Sequence, residues 1–250
     1  MPVTPGTELY LKEVFSSLQG EGIFIGRRQL FVRLAQCNLA CAYCDTDFTA
    51  GPRWLAESQP GSPELREYSN PATPQQLTRL VRDWQERFPL HHSLALTGGE
   101  PLLQAQALAD WLPVVSHLLP VYLETNGTLP EPLERLLPHL TWISMDIKLA
   151  ATTGEPTPWE LHTAFLHTAR ARICQVKLVI DECTTDADLL EVAGFVQRHG
   201  AEIPLILQPR TVARRPAVNG DRLLAMQAIA AGEHLATLVI PQLHPLLAVR

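Results

Sequence analysis

Cys37-Asn38-Leu39-Ala40-Cys41-Ala42-Tyr43-Cys44 sets three thiols within eight residues, directly after the strand-like run Gln29-Leu30-Phe31-Val32-Arg33-Leu34. Three thiolates on so short a tether can converge on one soft metal centre. A four-iron cluster usually takes four cysteines, so a set of three leaves one iron with an open position for a substrate or cofactor. The same thiols also suit a structural zinc site whose fourth ligand is His91, His92, Cys174 or Cys183. Zinc pairs more often use the shorter CxxC spacing throughout. Tyr43, wedged before the last cysteine, favours a cluster, because an aromatic there can shield it and lie against a bound nucleoside.

Outward from this loop, short apolar runs alternate with segments of helical period. Candidate strands are Tyr10 to Phe15, Gln29 to Leu34, Ser93 to Leu96, Val121 to Glu124, Trp142 to Ile147, Ile173 to Ile180, Ile203 to Leu207 and Thr237 to Ile240. Leu77, Leu80, Val81, Trp84 and Phe88 share one helical face. Thr73, Pro74 and Gln76 form a start signal for that helix, and Thr157, Pro158 and Glu160 repeat it ahead of Leu161 and Phe165. Leu189, Ala193 and Val196 give another stripe, and Val218 to Ala231 reads as a last helix ending at Gly232. Such alternation means crossover units and a mostly parallel sheet, either doubly wound or a barrel. In both, ligands gather at the carboxyl ends of the strands. Residues 48–71 carry several prolines with Gly51 and Gly61 and no sustained period, and are expected to form an irregular insertion. Thr211 to Asn219 reads as a basic loop.

With 250 residues, 46% hydrophobic, the chain supports one sizeable core, expected to be a single domain over 1–250. A net charge of -6 offers no basic field for a nucleic-acid backbone. No run reaches membrane-spanning length and no secretory pattern opens the chain, so the expected setting is the cytoplasm. A reducing compartment leaves five cysteines as thiols, and a local group of three then reads as metal binding before disulfide.

The cysteine loop with an aromatic before its last thiol resembles the signature of the radical S-adenosylmethionine (SAM) superfamily. Thr97-Gly98-Gly99-Glu100-Pro101, at the end of the next strand, is similar to that superfamily's GGEP motif. There the backbone and the acidic side chain hold the cofactor's amino group. Glycines allow close backbone approach, and a carboxylate neutralises an ammonium. A narrower resemblance runs along nearly the whole chain. Glu13-Val14-Phe15-Ser16-Ser17-Leu18-Gln19-Gly20-Glu21-Gly22, then Phe31-Val32-Arg33-Leu34, then the cysteines with Asp45-Thr46, resembles the 7-carboxy-7-deazaguanine synthase family.

That resemblance implies an abbreviated TIM-type barrel, a homodimer, a 4Fe-4S cluster, SAM and Mg2+. It also implies an electron donor such as flavodoxin or ferredoxin. The implied reaction converts 6-carboxy-tetrahydropterin to 7-carboxy-7-deazaguanine with loss of ammonia. By the same resemblance Cys37, Cys41 and Cys44 hold the cluster and Thr46 holds Mg2+. Tyr43, Cys44, Asp45, Gly99 and Glu100 lie along SAM, with Ser144, Lys148, Gln208, Pro209 and Arg210 at later strand ends. Leu18, Gln19, Gly20 and Glu21 line the pterin, Arg33 pairs with its carboxylate, and Thr97 touches it.

The residues carry blander readings too. Arg33 suits a surface ion pair, Thr46 a turn cap with Asp45, and Lys148 and Lys177 buried ion pairs. Cys174 and Cys183 read as ordinary thiols, and His91 and His92 as solvated. Three departures from the family pattern stand out: Ser144-Met145-Asp146-Ile147-Lys148 in place of Ser-Pro-Lys, the insertion at 48–71, and Arg250 where some members carry a proline whose carboxylate reaches substrate. Two rival functions fit parts of the pattern. A glycyl-radical activating protein shares the cysteine loop, and a zinc-stabilised binding module needs no catalysis.

Overall fold

The computed structural model describes residues 8–42, 44 and 47–250. Strand β1 (Leu11–Leu18) is followed by β2 (Arg28–Leu34), β3 (Arg53–Glu57), β4 (Leu65–Ser69), β5 (Ser93–Gly98), β6 (Val121–Thr125), β7 (Trp142–Ile147), β8 (Ile173–Ile180) and β9 (Leu205–Pro209). The short β10 (Thr211–Val212), β11 (Arg215–Pro216) and β12 (Thr237–Val239) complete the strands. Helices are α1 (Pro74–Arg87), α2 (Ala105–Val115), α3 (Pro130–Leu136), α4 (Ala150–Thr153), α5 (Trp159–Ala169), α6 (Asp186–His199), α7 (Gly220–Glu233) and α8 (His244–Leu247).

One sheet runs in the order β12-β9-β8-β7-β6-β5-β2-β1-β3-β4. From β12 to β2 every neighbouring pair is parallel, and β1 then joins β2 antiparallel. Strands covered on both faces read as apolar runs, as in Leu205-Ile206-Leu207, where every side chain is buried. On the outer face these strands meet the apolar stripes of the helices, among them Leu77, Val81 and Trp84 of α1 and Val192 and Val196 of α6. A smaller inner cluster of Phe15, Phe31, Ala95 and Tyr122 fills the concave side. Phe24 packs edge-on to Tyr122 at 5.5 Å and against Trp142 at 5.0 Å.

The sheet curls strongly. Glu21, just past β1, ion-pairs with Lys177 of β8. In a flat sheet those strands, five places apart, would lie about 24 Å from each other. The edges β12 and β4 do not pair, so the result is an incomplete α/β barrel, the architecture expected from the alternating pattern.

Several local expectations change. Residues 48–71 are not irregular: they hold the antiparallel hairpin β3–β4, with β3 parallel to β1. Trp54 is buried in the core and stacks on Tyr68 at 4.5 Å. The ladder between β1 and β3 is short, and side chains extend it. Asn70 accepts from Leu11 N at 3.0 Å and donates to Leu11 O at 2.8 Å, while Glu57 accepts from Ser16 N at 3.0 Å. Thr73 caps α1 as expected, accepting from Gln76 N. Thr157 does not cap α5; its hydroxyl accepts from Ala150 N at 3.1 Å instead. Part of the segment 211–219 pairs as β10–β11, and Asn219 caps α7, which runs through Gly232.

Candidate active site

Side chains alternate across a strand, and the parallel strands turn polar residues inward near their carboxyl ends. Arg33 of β2, Thr97 of β5, Glu124 of β6, Asp146 of β7, Lys177 of β8 and Gln208 of β9 all line an open cavity of about 400 Å³. Gln19, beyond β1, joins this layer. Its amide donates to Glu124 and to Gln29, each at 2.9 Å, and Thr97 Oγ1 donates to Glu124 at 2.7 Å. Lys177 bridges Glu21 and Asp146, the latter at 3.3 Å, and Lys148 reaches Asp146 at 2.9 Å. Arg33 pairs with Glu13 at 2.9 Å.

The cysteine loop forms the upper wall of the same cavity, to which Cys37, Cys41 and Cys44 all contribute. Gln36 enters the loop with a positive φ of 72°. Asn38 then accepts from Asn126 Nδ2 at 2.8 Å and donates to Thr128 at 2.9 Å, tying the loop to the turn after β6. Ala42 N donates to Thr152 O at 2.9 Å. Opposite, Gly98 and Gly99 press against the backbone leading into the loop. A Cβ on Gly99 would stand 1.9 Å from the Gln36 carbonyl oxygen, and one on Gly98 would stand 2.2 Å from that of Leu34. Only glycine permits this approach.

Residues 32–190 match the Radical SAM superfamily. A 7-carboxy-7-deazaguanine synthase of Geobacter sulfurreducens is 40% identical over 96% of both chains. One from Methanothermobacter thermautotrophicus is 34% identical over 95% of this chain and 96% of its own. The chain belongs to the 7-carboxy-7-deazaguanine synthase family of radical SAM enzymes. Among solved structures it matches QueE from Escherichia coli, with TM-score 0.59 and 20% identity over 95% of each chain. TYW1 with a lysine-pyruvate adduct bound matches at TM-score 0.54 and 12% identity, over 82% of this chain and 73% of its own. These two likenesses concern the fold.

The donor set fits the iron–sulfur cluster that radical SAM enzymes carry. Burial pushes the Cys37 and Cys41 thiols above their ordinary value and the neighbouring thiols add to this, while Lys148 pulls Cys41 the other way, so the loop crowds soft donors beside one another. Among the described residues no three His, Cys, Asp or Glu side chains close on the position of a single ion. None of the four residues considered as a fourth zinc ligand lines the cavity. His91, expected to be solvated, is buried and bonds Ser16 at 2.7 Å. His92 stacks on Trp142 at 5.1 Å.

Of the residues singled out in the sequence, Leu18, Gln19, Gly20, Glu21, Arg33, Thr97, Gly99, Lys148, Gln208, Arg210 and the three cysteines all meet at the cavity. Tyr43, Asp45 and Thr46 lie outside the described residues. Three others are placed elsewhere. Ser144 sits deeper, accepting from Gln175 at 2.8 Å. Pro209 is buried and does not line the cavity. Glu100 is fully buried, its carboxylate taken up by Leu102 N at 3.0 Å, Thr125 Oγ1 at 2.9 Å and Asn126 N at 2.8 Å. Its side chain braces the turn that shapes the pocket. Burial pushes this carboxyl up to about 7 against the pull of those bonds.

Sequence reading missed Glu124 and Asp146, and reached Lys177 only as an ion-pair candidate. The available signal was a lone charge near the carboxyl end of an apolar strand. It also left Arg250 aside, yet Arg250 lines the cavity together with Gln242 and His244.

Proposed function

We propose that this chain converts 6-carboxy-5,6,7,8-tetrahydropterin to 7-carboxy-7-deazaguanine with loss of ammonia, within queuosine or deazapurine biosynthesis. The observation that carries this reading is the meeting of the three-cysteine loop, the glycine turn and the polar layer in one cavity. A bound cluster and SAM would supply a carbon-centred radical able to take hydrogen from the substrate.

The chain's own residues bind and orient. Arg33 offers a planar guanidinium to the substrate carboxylate. Gln19, Thr97 and Glu124 present a donor and acceptor set to the heterocycle, held in register by their mutual bonds. Gly99 gives its backbone to the cofactor's amino group, and Leu18 and Gly20 flank the ring. Lys148, Gln208 and Arg210 border the cofactor, with Tyr43 and Asp45 beside it. Lys177 holds the Glu21 carboxyl below its ordinary value and bridges it to Asp146.

Further parts of the same proposal are Mg2+ held through Thr46, a homodimer, a small electron-transfer donor such as flavodoxin or ferredoxin, a cytoplasmic setting, and one catalytic unit over 1–250. Hard oxygen donors suit Mg2+. Among the described residues no helix is long and apolar enough to cross a membrane.

The test is anaerobic turnover. The cluster is reconstituted, and reductant, SAM, Mg2+ and the carboxylated tetrahydropterin are added. Product is read by mass, and is expected with the native protein and absent with Cys41→Ala. Formation of 5′-deoxyadenosine without that product would overturn the substrate assignment. An intact cluster yielding neither compound would overturn the catalytic reading.

A further inference from the structure

Residues 240–250 cross the rim of the cavity and are fixed there at several points. Leu243 N donates to Gly20 O at 2.7 Å, and Gly20 has no room for a side chain, since a Cβ would meet His244 Nδ1 at 2.2 Å. Arg214, in the turn between β10 and β11, donates to Pro245 O at 3.1 Å and Leu246 O at 3.3 Å. These contacts deliver Arg250 to Glu13, with Nη1 3.1 Å from Oε2.

Glu13 thus divides its carboxylate between two guanidinium groups, since its other oxygen takes Arg33 at 2.9 Å. Both cations lie over the Phe15 ring of the inner cluster, Arg33 at 5.3 Å and Arg250 at 6.0 Å from its centre. Phe15 in turn stacks on Phe31 at 4.9 Å. Glu57 also attracts Arg250 together with Arg28, so this arrangement of two carboxylates among three guanidiniums leaves a surplus positive charge beside the cavity. It also leaves most of their N–H donors unspent by Glu13. A single structural ion pair would need only one arginine. Two cations held side by side are favourable when an anion arrives to share them.

We infer that Arg250 is a second binding residue for the substrate's carboxylate, acting beside Arg33 and selecting an acid-bearing ring over its uncharged counterpart. This rests on the pterin reading of the cavity. Glu13 is the positioning residue that spaces the two guanidiniums.

Calorimetric titration of the cluster-reconstituted protein, with SAM and Mg2+ present, tests it using two unreactive probes, 6-carboxypterin and pterin. The native protein is expected to bind the carboxylated probe more tightly. Arg250→Gln is expected to weaken 6-carboxypterin about tenfold, as for one lost charge-assisted bond, and to leave pterin within about twofold. Arg250→Lys is expected to fall between, because a point charge restores attraction without the planar fork. An unchanged preference in Arg250→Gln would overturn the role of Arg250 while leaving the pterin reading intact. Equal weakening of both probes would overturn it too, by showing that Arg250 acts only through the seating of the terminal segment. A native protein that fails to prefer the carboxylated probe would overturn the pterin reading and this inference with it.

Discussion

Replacing Lys177 by Met removes the cation at the centre of the polar layer while keeping the length of the side chain. Lys177 is 7% exposed and faces Glu21, Asp146 and Glu124. Burial alone would raise the Glu21 carboxyl. Attraction to Lys177, with hydrogen bonds from Gln242 and Lys177, outweighs this and brings it down to about 2 from 4.5. Truncating one partner of a buried ion pair usually destabilises by about 3–5 kcal/mol. For a chain of this length about 3 kcal/mol lowers the melting temperature by roughly 6–12 °C.

The sign with pH follows from the same groups. In the native protein the depressed Glu21 carboxyl contributes fully above its unfolded value and loses that contribution as pH falls toward 2. In Lys177→Met the main attraction that opposes burial is gone and the Glu21 carboxyl titrates higher than in the native protein, so acidification relieves it. The gap between the two proteins is therefore expected to be widest at pH 7 and to narrow by pH 5. Thermal melts of both proteins under anaerobic conditions read it directly. A drop of less than about 2 °C, or a gap that is the same at both pH values, would refute the view that Lys177 neutralises this layer.

Glu100→Gln leaves a single acceptor oxygen for three donors, and is expected to destabilise by about 1–3 kcal/mol in denaturant titration. Because burial raises the Glu100 carboxyl to about 7, its contribution is present at low pH and lost as pH rises from about 4.5 to 7. The variant's melting temperature should therefore vary less across that window than the native protein's. Gly99→Ala drives a Cβ into the Gln36 carbonyl and is expected to weaken SAM binding at least tenfold in equilibrium dialysis, with circular dichroism preserved. Trp54→Ala removes a buried, stacked side chain, and a loss of about 3–5 kcal/mol in chemical denaturation is expected.

What the sequence discloses, and what it hides, follows from which forces are local. Trp142–Ile147 and Ile173–Ile180 lie where their apolar runs place them, because burial on both faces writes itself into composition. The cysteine loop and the Gly98-Gly99 turn are legible because their geometry demands particular residue types. The β3–β4 hairpin is harder to see. Its core-facing residues are few, chiefly Trp54 and Ala56 with Tyr68 beside them, and flanking prolines mask a two-residue period over so short a run. Glu124, Asp146 and Lys177 read as flaws in apolar strands until curvature brings them together. Thr157 carries the letters of a helix cap, yet a tertiary donor, Ala150 N, captures its hydroxyl. Arg250 belongs to a segment without periodicity, whose place is set by distant partners such as Arg214 and Gly20.

The hairpin has a consequence for solubility. Without it, β1 would be the outermost strand on that side, with a largely buried sequence and a row of unsatisfied amides open to any other chain. With it, the rim of the sheet passes to β4, a five-residue strand whose Arg66 and Glu67 are exposed. Short, charged rims resist zipping onto a neighbour. Asn70 and Glu57 saturate the amides of Leu11 and Ser16 at either end of the short ladder. Excising residues 52–70 would thus leave a sheet with an adhesive border, and self-association would appear in light scattering before any loss at the distant cysteine loop.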